Sequence, residues 1–97
     1  MSQIEDIILK IREKKPFIAK RYHIETLQVF GSYVRGEQRR KSDLDVLVEF
    51  DRTIDLFSFI ELENYLSEIL GIKVDLVMKD TLKSRIKERI LQEAIPV

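Results

Sequence analysis

Ninety-seven residues make one domain, with room for a single core and one open site but not for a second domain to enclose a substrate. Seventeen basic against seventeen acidic residues leave no net charge, so no whole-chain field draws the protein to nucleic acid or to a membrane surface. No cysteine is present, which excludes disulfides and thiolate metal sites, and no apolar run is long enough for a spanning helix or a signal-peptide core. A soluble cytoplasmic protein is the expectation.

Ser2 with Glu5 has the pattern of a capping box, and Ile4, Ile7, Ile8 and Ile11 mark one helical stripe after it. That helix is expected to stop near Lys14, ahead of Pro16, with a turn or short second helix running on to Tyr22. Leu27, Val29 and Phe30 predict a short strand ending at Gly31, Ser32 to about Glu37 a brief helix, and Gln38 to Lys41 a polar, basic loop. Leu44, Val46, Val48 and Phe50 alternate with Asp43, Asp45, Leu47 and Glu49, a period-two strand. Asp55 caps a helix over 56–70, with Gly71 placed to terminate it. Ile72, Val74, Leu76 and Met78 predict a third strand. A last helix carrying Leu82, Ile86 and Ile90 is expected to start at Asp80 or Thr81, and Pro96 closes the pattern. The order is that of a small α/β sandwich with a sheet of three or slightly more strands.

The chemistry is concentrated in Gly31-Ser32-Tyr33-Val34-Arg35-Gly36 and, six residues on, Ser42-Asp43-Leu44-Asp45. Asp is depleted from strands, so Asp43, Asp45 and the Asp75 of Val74-Asp75-Leu76-Val77 ask for an explanation. Residues two apart on a strand point the same way, so Asp43 and Asp45 can converge on cations. Asp75 can join them if the third strand lies beside the second. Two ions roughly 3.5–4 Å apart are the arrangement of two-metal phosphoryl transfer, and an oxygen-only ligand set suits magnesium. Gly31 lets backbone N–H groups approach a phosphate, the Ser32 hydroxyl can donate to it, and Arg35 with Arg39-Arg40-Lys41 offers charge to a leaving pyrophosphate. Each piece alone reads as an ordinary turn, wet strand face or solvated loop. Their order and spacing together do not.

This combination resembles the signature of the DNA polymerase beta-like nucleotidyltransferase superfamily. The small size, the Val74–Val77 strand and the ending Glu93-Ala94-Ile95 resemble its minimal nucleotidyltransferase branch, although Val34 stands where that branch often has alanine. The resemblance implies a mixed sheet flanked by helices, with Asp43 and Asp45 holding two magnesium ions. It implies that Asp75 binds the metal that activates the acceptor hydroxyl, and that Gly31 and Ser32 bind the triphosphate. It also implies a partner, since such proteins resemble antitoxins that transfer AMP from ATP to a tyrosine of a HEPN-domain ribonuclease toxin. A non-catalytic antitoxin that occludes its toxin is the alternative. A small-molecule acceptor of the aminoglycoside kind is disfavoured, because nothing remains to hold it.

Other residues read as structural. His23, the only histidine, has no acid–base partner nearby in sequence, and Tyr33 is expected to pack the short helix, with base stacking as its second possibility. Lys83, Arg85, Lys87 and Arg89 mark the solvated side of the last helix. Helix 56–70 carries more apolar residues than one core-facing stripe needs, so it is either deeply buried or meets another chain in a homo- or hetero-oligomer.

Overall fold

The computed structural model describes residues 3–97, so Ser2, half of the expected capping box, lies outside the described residues. Helix α1 (Gln3–Tyr22) is continuous, and Pro16 is inside it. The expected stop near Lys14 is therefore wrong. A proline in a helix interior costs about 3 kcal/mol. Here the apolar stripe continues past it, with Ile7, Ile8, Ile11, Ile18 and Tyr22 all buried on one side, and that burial outweighs the lost backbone bond. His23 ends the helix in the left-handed region at φ 57°, a structural job for the lone histidine.

Strand β1 (Ile24–Phe30) starts earlier than the alternation suggests, because its pairing slips between Ile24 and Thr26 and the bulge breaks the period. A one-turn helix α2 (Ser32–Arg35) closes at Gly36, shorter than expected, and β2 (Leu44–Phe50) follows the loop. Helix α3 (Leu56–Leu70) matches its predicted bounds. Asp55 accepts a hydrogen bond from the Ser58 backbone N–H at 2.7 Å, and Gly71 ends the helix at φ 67°. Strand β3 (Val74–Met78) leads into a 3-10 turn (Lys79–Thr81), and α4 (Ser84–Glu93) starts later than expected. The Thr81 hydroxyl donates backward to the Met78 carbonyl at 2.8 Å, so it closes the turn instead of capping a helix. Strand β4 (Ile95–Pro96) was not legible: two residues show no period, and proline fits only an edge.

The sheet order is β3-β2-β1-β4, with β1 antiparallel to β2 and β4, and β2 parallel to β3. One face carries Leu27, Val29, Leu44, Val46, Val48, Val74 and Leu76 into a core shared with Ile11, Ile18, Leu62 and Leu66. The outer edge of β3 is covered by α3: Val74 N–H donates to Ser67 Oγ at 3.0 Å and Leu76 N–H to Glu63 Oε2 at 2.8 Å. Only Leu62, Leu66 and Leu70 of α3 are buried, whereas Phe57 is 84% and Leu56 69% exposed, so deep burial of that helix is excluded. Among the described residues no helix is long and apolar enough to cross a membrane.

Candidate active site

Topology gathers the chemistry. Antiparallel pairing sets the end of β1 beside the start of β2, and parallel pairing sets the start of β3 beside the start of β2. Gly31, Asp43, Asp45 and Asp75 therefore meet at one end of the sheet. Asp45 is the direct register partner of Phe30 on one side and of Asp75 on the other. Both acids alternate with buried core residues, so they lie on the face turned away from the core.

Gly31 is required here on two counts. Its φ of 89° is strained for any residue with a side chain, and an added Cβ would lie 2.1 Å from Asp45 Oδ2. The missing side chain is what lets the Asp45 carboxylate lie against the β1–α2 turn. Asp45 itself is only partly accessible. Burial, then the charges of Asp75 and Asp43, push its pKa up to about 6. Asp75 is exposed on β3, and Asp43 faces Lys73, whose Nζ lies 4.0 Å from Asp43 Oδ2.

Two further residues shape the loop that delivers the acids. Tyr33 is buried and donates through its hydroxyl to the Ser42 carbonyl at 3.3 Å, tying α2 to the residue preceding Asp43. That is the packing role expected of it. Ser42 Oγ accepts the Arg39 N–H at 2.8 Å while Ser42 N–H donates to the Arg39 carbonyl at 2.9 Å, which closes the loop and leaves the basic segment from Arg39 to Lys41 exposed. Arg35 is exposed but already has anionic partners. Its Nη1 lies 3.0 Å from both carboxylate oxygens of Glu93, and its Nε lies 3.4 Å from Glu37.

Glu93 is the residue that sequence reasoning missed as part of the site. Continuing the Val29↔Ile95 register by two steps puts Glu93 opposite Gly31, and the Gly31 N–H donates to Glu93 Oε1 at 3.2 Å. The signal lay in the Glu93-Ala94-Ile95 ending, but without the two-residue strand no register could place it.

The residues suit magnesium in donor type, and a cation would favour the ionised Asp45 that burial and then the neighbouring acids disfavour. Among the described residues no three acids are already closed around one point. Magnesium keeps waters and takes phosphate oxygens, so it does not need an all-protein cage.

The profile of the nucleotidyltransferase domain matches residues 7–97. The chain is 44% identical over 97 residues to the protein adenylyltransferase MntA of Thermococcus cleftensis, covering 100% of this chain and 98% of that one. A protein of Methanocaldococcus jannaschii, provisionally named a protein adenylyltransferase, is 45% identical over 93 residues, 96% of this chain and 92% of that. A solved structure provisionally described as a minimal nucleotidyltransferase superposes with a TM-score of 0.82 at 36% identity, covering 100% of this chain and 97% of the other. A crystal structure of a toxin-antitoxin with AMP-PNP gives a TM-score of 0.69 at 26% identity, over 99% of this chain and 72% of that one. The chain belongs to the nucleotidyltransferase domain family and, within it, to the small enzymes related to the protein adenylyltransferase MntA.

Proposed function

We propose that this nucleotidyltransferase moves AMP from ATP to a hydroxyl of a partner protein, a HEPN-domain toxin with a tyrosine as the acceptor, and so acts as its antitoxin. The observation that carries this is the meeting of Asp43, Asp45 and Asp75 with Gly31 at one sheet end. The likeness to the protein adenylyltransferase MntA over 98% of that protein, and to a toxin-antitoxin with AMP-PNP among the structural neighbours, supports it.

In this reading Gly31 N–H, the Ser32 hydroxyl and Arg35 hold the triphosphate, and Asp43, Asp45 and Asp75 hold two magnesium ions. Bound magnesium would neutralise phosphate charge and favour the deprotonated acceptor. The acceptor oxygen bonds to the α-phosphorus, the bond to the β-bridging oxygen breaks, and pyrophosphate leaves. Asp75, exposed on its strand, faces an incoming protein. The hydroxyl proton passes to this cluster of carboxylates or to solvent.

A protein acceptor is favoured by the apolar surface left open. Leu56, Phe57 and Ile60 are exposed on α3, and further along the same helix pair Phe17 of α1 is exposed with its ring 6.1 Å from that of Tyr65. A folded partner can cover such a surface. Incubation with the cognate toxin, ATP and magnesium should add one or more AMP masses to the toxin, read by intact-mass spectrometry. The same exposed surface favours the occlusion reading as runner-up. Neutralisation without mass change, equally good with Asp43→Asn, would establish that alternative.

A further inference from the structure

We propose that Glu93 is a built-in competitor for the triphosphate: its carboxylate occupies the Gly31 N–H and the Arg35 guanidinium, and nucleotide binding expels it together with the last turn of α4. The proposal rests on the assignment of Gly31 and Arg35 to phosphate made above.

A carboxylate held by a backbone N–H and an arginine presents to those donors what a phosphate presents: anionic oxygens at hydrogen-bond distance. Glu93 Oε1 accepts from Gly31 N–H at 3.2 Å and from Arg35 Nη1 at 3.0 Å, and Oε2 lies 3.0 Å from the same nitrogen. These donors cannot serve Glu93 and a triphosphate at once in that geometry.

A merely structural tie is a poor account of the arrangement. The pair is open to solvent, with Arg35 46% and Glu93 27% exposed, and exposed pairs contribute little to stability. Glu93 also brings a fourth negative charge to a site where Asp43, Asp45 and Asp75 already repel one another. The surrounding structure permits release. Helix α4 has no buried residue, and Ile86 and Leu91 on it are exposed, so displacing it uncovers little apolar surface. Beyond Ala94 the chain is held independently, by pairing of Ile95 and Pro96 with β1 and by the Val97 N–H donating to the Leu27 carbonyl at 2.9 Å. Ala94 is thus the hinge between an anchored strand and a lightly held helix.

Calorimetry with AMP-PNP and magnesium at low ionic strength tests this on the wild type, Glu93→Ala and the near-isosteric Glu93→Gln. Giving up an exposed ion pair is worth up to about fivefold in an equilibrium, and removing one like charge beside the phosphates about as much again. Glu93→Ala should therefore bind AMP-PNP about tenfold tighter, and Glu93→Gln should fall between it and the wild type. In the wild type, amides of residues 90–94 should exchange faster when AMP-PNP is bound. In ligand-free Glu93→Ala they should already exchange fast. Binding within twofold of the wild type by both variants, or weaker binding, overturns the competitor role while leaving the nucleotide site standing. A wild type that binds no AMP-PNP overturns the phosphate assignment and this proposal with it.

Discussion

Asp45→Asn isolates the electrostatic cost of the site. In the folded chain burial and the charges of Asp75 and Asp43 raise the Asp45 pKa from its ordinary 3.8 to about 6. Each unit is worth about 1.4 kcal/mol, so ionised Asp45 costs the fold about 3 kcal/mol. Partial solvent access screens the charge–charge share, which leaves about 1–3 kcal/mol. The sign follows from proton binding. Below about pH 3.8 both the folded and unfolded chains hold the proton, and there is no penalty. Between 3.8 and 6 the unfolded chain releases it first, so the contribution of Asp45 to stability falls as pH rises, and above about pH 6 the penalty is constant. Asp45→Asn should thus match the wild type near pH 3.5 and exceed it by about 1–3 kcal/mol at pH 7.5, roughly 5–20 °C in Tm for a domain of this size. Urea denaturation across this pH range, without divalent ions, measures the gap. Magnesium should then stabilise the wild type and leave the variant unmoved. A variant no more stable at pH 7.5, or a gap that does not change with pH, would refute the reasoning.

Three further outcomes are expected. Gly31→Ala forces a Cβ against Asp45 Oδ2 and strains φ, so AMP transfer should be lost with a stability cost of about 1–3 kcal/mol; full activity would show that the close approach is dispensable. Tyr33→Phe removes the hydrogen bond to the Ser42 carbonyl and should cost about 1 kcal/mol in denaturant titration; an unchanged midpoint would mean the bond holds nothing. Phe57→Glu should leave stability within about 0.5 kcal/mol, since the side chain is exposed, yet weaken toxin binding at least tenfold by calorimetry; unchanged affinity would place the partner on another surface.

What could be read from residues alone was whatever local periodicity and local chemistry encode. The β2 alternation from Leu44 on and the α3 stripe with Asp55 and Gly71 at its ends are short-range features that the structure places as read, whereas Asp43, read as part of that strand, lies in the loop just before it. The continuation of α1 through Pro16 was decided elsewhere, because burial of Ile18 and Tyr22 against the sheet overrides a local breaker. The two-residue β4 has no period of its own and exists only through its pairing with β1. Two features of the site depend on that same long-range order. Asp75 meets Asp45 only because β3 runs parallel beside β2. Glu93 reaches Gly31 only because β4 fixes its register, and hydrogen bonding between distant segments is a property no local stretch of chain carries.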